Sequence, residues 1–325
     1  MKKTYAAIEK AVKGARSALL VSHVDPDGDS IGSMLAMGIL LSQLGVECDF
    51  YSEDGVPRIY KFLPGADKVK NRLGPDRHYD LLLAMDSSDI SRLGEKLDAR
   101  EAARLIVNID HHPDNTQYGD INYVERSSST AELVYHLAGH MKIKISRALA
   151  ENLYVALITD TGNYRYENTS VATFMMAADL LKAGVDTHDI TTRIYDTKTI
   201  ASIRIQAAAL SDLEISPDRK AAWAAVTQEM MEQSGAKGED LVGLVDQIRS
   251  IEGIEVAILF REDKGDVKVN FRSKEKINVS EIAKRFGGGG HIRAAGAILK
   301  DSMEGAKNRV VAEVLKQIKA SKYLV

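Results

Sequence analysis

The chain has 325 residues, of which 45% are apolar and 27% charged, with 24 Gly and only 6 Pro; this balance excludes a disordered or fibrous polymer and allows about two domains, each with its own core. Lys and Arg number 43 against 46 Asp and Glu, a net charge of −3. Bulk charge therefore gives no hold on a long polyanion, while a short anionic substrate needs only a few local charges. A single cysteine, Cys48, excludes an intrachain disulfide and any thiolate-rich metal site, so a metal must be met by His and carboxylates. Glu9, Lys10, Lys13 and Arg16 interrupt the stretch after Met1 before a signal core can form, and no window approaches the ~18 apolar residues of a membrane span. A cytoplasmic protein without a membrane segment is expected.

Helical periodicity over Thr4 to Arg16 leads into a strand over Ala18 to Ser22 and a helix over Gly32 to Leu44. Strands over Glu47 to Tyr51, Tyr79 to Asp86 and Leu105 to Asp110 follow, then a helix over Thr130 to Met141, opened by a capping box of Ser129 and Glu132. Ser146 to Ile158 and Ser170 to Ala183 read as two further helices, the second closed by Gly184. The βαβ alternation predicts a doubly wound parallel sheet over residues 1–190. A weakly amphipathic stretch forms a helical connector over 191–216, ending at Ser216-Pro217-Asp218. Beyond it, strands at Lys220 to Thr227, Ile254 to Glu262 and Val267 to Arg272, with helices at Glu239 to Ile251, Val279 to Phe286 and Glu304 to Ala320, predict a smaller α+β domain over 217–325.

Charge divides between the halves. Residues 1 to 210 carry 24 basic and 28 acidic side chains, net −4, and residues 211 to 325 carry 19 and 18, net +1; Arg261 to Arg293 alone holds nine basic and five acidic residues. The acidic half concentrates its carboxylates at strand ends, where open α/β sheets collect ligands. His23-Val24-Asp25-Pro26-Asp27-Gly28-Asp29-Ser30 follows the first strand, Asp86 ends the run Leu81 to Met85, Asp110-His111-His112 ends Leu105 to Ile109, and Asp160 follows the apolar run Leu153 to Ile158. Four carboxylates from Asp27, Asp29, Asp86 and Asp160 carry −4, which two divalent cations neutralise. Oxygen and imidazole donors favour Mn²⁺, Mg²⁺, Co²⁺ or Zn²⁺, and a pair of such ions activates water and polarises a phosphoryl group.

These residues resemble the DHH phosphoesterase superfamily. The pattern H-x-x-P-D-x-D-x-x-x-S stands here as His23, Pro26, Asp27, Asp29 and Ser33, followed by Asp86, by Asp110-His111-His112 and by Asp160. The resemblance implies one ion on His23, Asp27 and Asp86, a second on Asp29, Asp86, His111 and Asp160, with Asp86 bridging and manganese as the preferred metal. It places His112 against the substrate phosphate; the residue types alone also allow a core histidine satisfied by backbone. Asp110 is assigned to fixing strand and histidine geometry, and Asp25 to the turn. In the second half, Gly287-Gly288-Gly289-Gly290-His291-Ile292-Arg293-Ala294-Ala295-Gly296 resembles the G-G-G-H-x-x-A-A-G motif of DHHA1 substrate domains, and Arg272-Ser273 matches that family's R-S pair. Substrate binding is thereby assigned to Arg272, Ser273, Gly288, Gly289, Gly290 and His291, where glycine N–H groups and a guanidinium take phosphate oxygens. The implied architecture is a DHH domain and a DHHA1 domain with a cleft between them, acting on short oligoribonucleotides, linear pApA and 3′-phosphoadenosine 5′-phosphate (pAp), as a homodimer, and not on long duplexes. A family II inorganic pyrophosphatase, which shares the metal motifs, and a non-catalytic nucleotide-binding module are the rival readings. Tyr164-Arg165-Tyr166 stacks on a base or packs at a helix end; Met175, Met176, Trp223 and Cys48 read as core.

Overall fold

A computed structural model describes residues 2–74 and 77–321, and the chain divides into two compact units, up to Asp196 and from Thr197. The first contains α1 (Lys2–Lys13), β1 (Ser17–Val21), α2 (Gly28–Gln43), β2 (Glu47–Tyr51), β3 (Val69–Lys70), β4 (Leu81–Met85), α3 (Ala99–Ala102), β5 (Ile106–Asp110), β6 (Ile121–Val124), α4 (Thr130–His140), α5 (Arg147–Asp160), α6 (Val171–Lys182) and α7 (Thr187–Thr191). Its strands form one parallel sheet in the order β3-β2-β1-β4-β5-β6. The order reverses between β1 and β4, so the carboxyl ends of these neighbours form the crevice where doubly wound folds bind ligands. Alternate residues feed two cores, as a sheet covered on both faces requires: Leu20, Leu83 and Val107 pack beneath α2, α4 and α5, while Leu19, Leu82 and Ile106 face the opposite layer.

The second unit contains α8 (Ile200–Ser211), β7 (Glu214–Ile215), β8 (Ala221–Val226), α9 (Gln228–Ser234), α10 (Leu244–Ser250), β9 (Val256–Asp263), β10 (Asp266–Ser273), α11 (Val279–Lys284), β11 (Gly289–His291), β12 (Ala294–Leu299) and α12 (Met303–Ser321). Its sheet runs β11-β12-β10-β9-β8-β7, antiparallel except for the parallel β8/β9 pair. One face, with Val269, Phe271 and Phe260, is packed with α11 and α12 residues; the other is filled at β8 and β9 by α8 and α10 residues.

Several local readings are corrected. Helix α2 begins at Gly28 rather than Gly32, because the Asp27 carboxylate caps it by accepting from Ser30 N at 3.0 Å. Asp160 is the last residue of helix α5, not a strand end. The expected helix over Glu239 to Ile251 is broken by Gly243 at φ +84°. Within the glycine motif, Gly289–His291 form strand β11. The Ser129 hydroxyl accepts from Glu132 N at 3.3 Å, but the Glu132 carboxylate returns to Ser128, whose N–H it accepts at 2.8 Å. Met176 and Trp223 are buried as expected, whereas Met175 is 65% exposed on α6.

Candidate metal centre

Three local devices bring the acidic residues of the first unit together. Helices α2 and α5 approach through small residues: a Cβ at Gly32 would lie 2.6 Å from Asn152 O and 2.9 Å from Ala156 Cβ, and one at Gly28 would strike the Thr159 side chain. This places Asp27 and Asp29, at the start of α2, beside Asp160, at the end of α5. The N-terminus of α4 points at the same place, with Thr130 N donating to Asp29 Oδ2 at 2.6 Å and Ala131 N to Asp29 Oδ1 at 3.1 Å, as a helix start does for an anion. At the end of β4, Asp86 adopts the left-handed conformation, φ +56°, which turns its carboxylate into the crevice while its N–H still donates to Ile109 O at 2.9 Å. Asp tolerates that conformation better than most residues.

The result is two donor groups, His23 with Asp27 and Asp86, and Asp29 with His111 and Asp160, each with ligand atoms within 4.8 Å of one another. Asp86 joins them, since its Oδ2 lies 3.5 Å from His23 Nε2 and its Oδ1 lies 3.6 Å from His111 Nε2. His111 Nε2 is also 3.7 Å from Asp29 Oδ2 and 3.6 Å from Asp160 Oδ2, and His23 Nε2 is 3.8 Å from Asp27 Oδ1. These separations exceed hydrogen-bond length and suit atoms sharing a cation about 2.1 Å from each. Both imidazoles are oriented for that task. His23 Nδ1 donates to Val24 O at 2.7 Å and His111 Nδ1 to Ser127 O at 3.2 Å, which fixes the tautomer and turns each Nε2 lone pair toward the carboxylates. All six residues named from the sequence therefore meet, and the donor set fits two divalent cations.

Electrostatics describes a cluster short of positive charge. Burial and the Asp86, Asp160 and Asp27 carboxylates hold Asp29 well above the usual carboxylate range, and burial foremost pushes Asp160 up to about 6. Asp86 goes the other way: burial opposes its charge, but the imidazoles of His23, His112 and His111 around it hold it far below normal. His112 stands apart from the Nε2 donors. Its Nδ1 donates to Asp110 Oδ1 at 2.7 Å, so a carboxylate rather than backbone satisfies it. Burial disfavours its cation, yet that hydrogen bond with the Asp86, Asp110 and Asp160 charges raises it to about 10.

Several supporting residues escaped the sequence reading. Thr130 Oγ1 donates to Asp86 Oδ1 at 2.9 Å. Asn115 Nδ2 donates to Asp110 Oδ2 at 2.6 Å, and Asn168 Nδ2 to Asp160 Oδ2 at 3.1 Å and Ser128 O at 2.8 Å. Thr130 follows a legible cap, but nothing in sequence marks the two asparagines. Asp25 sits in the turn at φ +51°, its N–H donating to Asp54 Oδ2 at 2.7 Å. Tyr164 stacks on Phe174 with ring centroids 5.1 Å apart, which favours packing over base stacking.

In the second unit, register places His291 opposite Ala294 on β12, and Ala294 opposite Arg272 on β10. Directly paired residues share a sheet face, so the imidazole and guanidinium stand on one face with a methyl between them. Arg272 Nε is buried and meets no acceptor, and lies 3.6 Å from Asp246 Oδ1. Ser273 faces the other way, fully buried, with its hydroxyl donating to Ile277 O at 2.7 Å. The glycines serve close strand approach: a Cβ at Gly288 would strike Gly296 O, and one at Gly290 would lie 2.6 Å from Ala294 O.

Residues 17–157 match a family model described as the DHH family, N-terminal domain, and residues 221–320 match one described as the DHHA1 domain. The chain is 32% identical over 324 residues to the bifunctional oligoribonuclease and PAP phosphatase NrnA of Thermus thermophilus, covering 98% of this chain and 95% of that protein. It is 26% identical over 283 residues to the protein of the same description from Bacillus subtilis, covering 86% and 88% of the two chains. Among solved structures, an exopolyphosphatase-related protein from Bacteroides fragilis superposes with a TM-score of 0.88 at 27% identity, covering 100% of this chain and 98% of that one.

Proposed function

The chain belongs to the DHH phosphoesterase family, with a DHH domain followed by a DHHA1 domain, and from that premise we propose that it hydrolyses short oligoribonucleotides, including linear pApA, to mononucleotides and pAp to AMP. The observation that carries this reading is the pair of donor groups joined by Asp86, in a chain similar over nearly its whole length to proteins named for those two activities. We assign His23, Asp27 and Asp86 to one divalent ion and Asp29, Asp86, His111 and Asp160 to the other. Manganese is the proposed metal, with Mg²⁺ or Co²⁺ as substitutes. When bound, such a pair supplies hydroxide at neutral pH and polarises the phosphoryl group.

The chain's own residues then orient and exclude. Asp29, fixed by two N–H groups of α4, and Asp86, fixed by Thr130, need no rearrangement to receive cations. His112, kept cationic by Asp110, donates to a phosphoryl oxygen or to the departing ribose oxygen. In the second unit, Arg272 and His291 are assigned to nucleotide phosphate, with Gly288, Gly289 and Gly290 setting the strand that carries His291. Ser273, its hydroxyl committed to Ile277 O, acts through the turn after β10. Among the described residues no helix is long and apolar enough to cross a membrane; the cytoplasm and a homodimer complete the proposal.

The test is turnover by the Mn²⁺-loaded protein of pAp, pApA, a 5-mer RNA and pyrophosphate. Release of mononucleotides and of phosphate from pAp is expected. Hydrolysis of pyrophosphate alone would instead make it a pyrophosphatase, a reading the R-S pair and glycine motif disfavour. Binding without turnover would make it a nucleotide-binding module.

A further inference from the structure

Arg92 lies in a short turn after β4, Ile90–Leu93, on the side of His23 away from the carboxylates. His23 Nδ1 is 2.7 Å from Val24 O, and since a carbonyl only accepts, that nitrogen carries the proton. Arg92 Nη2 lies 3.2 Å from the same Nδ1. Two N–H groups facing each other form no hydrogen bond, so the contact leaves the guanidinium's donors unused. Its position is nonetheless built. The Arg92 carbonyl accepts from Val24 N at 2.8 Å, and Asp89 caps the turn by accepting from Ser91 N at 2.9 Å and Ser91 Oγ at 2.7 Å. Among the described residues no carboxylate pairs with Arg92, and the side chain is exposed.

An exposed, permanently charged fork of donors at the rim of an acidic centre, with no carboxylate paired to it among the described residues, has the geometry and charge that match a phosphate. The His23 ring lies between it and the Asp27 and Asp86 oxygens, so the guanidinium stands one imidazole away from any cation held there. We propose that Arg92 forms a subsite for a second substrate phosphate, one that is not attacked: the other phosphate of a nucleoside bisphosphate, or the neighbouring phosphate of a short oligonucleotide. This rests on the phosphoesterase reading above. It makes Arg92 a specificity residue that favours substrates carrying at least two phosphates over those carrying one.

The test compares wild type with Arg92→Ala and Arg92→Lys, all Mn²⁺-loaded, on pAp, pApA and the one-phosphate ester bis(p-nitrophenyl) phosphate. For Arg92→Ala, kcat/KM on pAp and pApA is expected to fall about tenfold or more, with the ester changed less than twofold and bound manganese per chain unchanged. Arg92→Lys is expected to recover part of the loss, as a point charge replacing a fork. Equal losses on all three substrates, or none on pAp, would overturn the subsite. If wild type cleaves the ester but neither nucleotide, the proposed function fails separately. The subsite is then read from inhibition of ester cleavage by pAp, about tenfold weaker in Arg92→Ala if it stands and unchanged if it does not. Calorimetric binding of pAp and of inorganic phosphate gives the same contrast where nothing is cleaved.

Discussion

Buried Asp110 and half-buried His112 form a pair at the end of β5, with Asp110 Oδ1 accepting from His112 Nδ1 at 2.7 Å while Asn115 holds the other carboxylate oxygen at 2.6 Å. The carboxylate fixes the ring and stabilises its cation without itself facing the Nε2 donors of His23 and His111. Asp110→Asn keeps the shape and removes the charge. It is expected to lower kcat about a hundredfold, within the range for losing a positioned acid, while KM and bound metal change less than twofold. Unchanged kcat would return His112 to a packing role.

Asp86 turns one oxygen to each donor group, so truncating it affects both at once. Asp86→Ala should abolish turnover; retention of more than about a tenth of the wild-type rate would contradict a two-ion centre. Thr130→Val is the subtler probe, because it removes only the hydroxyl that orients Asp86 Oδ1 at 2.9 Å. Loss of such an outer partner typically weakens metal binding about 10- to 100-fold, and Thr130→Ser should restore it. Manganese titration followed by calorimetry measures both.

Much of this centre was legible because its ligands fall where chemistry and topology coincide. Asp86 and Asp110-His111-His112 end hydrophobic runs, and in a parallel sheet run ends are neighbours. Asp160 reaches the same place from a helix end rather than a strand end: the run before it, read as helical from Ser146 to Ile158, continues as α5 to Asp160. Asn168 and Asn115 carried no signal, since a polar residue in a loop reads the same whether or not it holds a carboxylate. The glycine run was recognised, but its reason lay in the partner strand: Ala294 and Gly296 decide how close β11 must come, and pairing across a sheet is not written in either segment alone.

In the metal-free protein, protons substitute for cations. Asp160 is raised to about 6 and His112 to about 10, so the folded state binds more protons than the unfolded chain across both windows. Stability therefore falls as pH rises, first between about 4 and 6 and again between about 6.5 and 10. Asp86, shifted down, loses its contribution only at more acid pH. Melting in EDTA should accordingly show Tm declining from pH 5 to 9, with Asp160→Asn flattening the acid portion. Saturating Mn²⁺ should oppose that slope, because cations bind the deprotonated ligands. A flat metal-free profile would refute the charge-deficient cluster.

The approach of α2 to α5 is the packing event on which the centre depends, and Gly32 tests it. An added Cβ would meet Asn152 O at 2.6 Å and Ala156 Cβ at 2.9 Å, and the former is backbone, which cannot rotate away. Gly32→Ala should therefore force the helices apart, at a cost of about 1–3 kcal/mol typical of overpacking, despite alanine's higher helix propensity. Because Asp29 rides on the first turn of α2 and Asp160 on the last of α5, the same displacement should separate them and weaken manganese binding. Gly45→Ala provides the control. Gly45 follows α2 at φ +82° with nothing within 4 Å, so its substitution strains the backbone without touching α5. A variant pair in which both lose stability but only Gly32→Ala loses metal affinity would tie the centre to helix packing; equal loss of affinity in both would detach it.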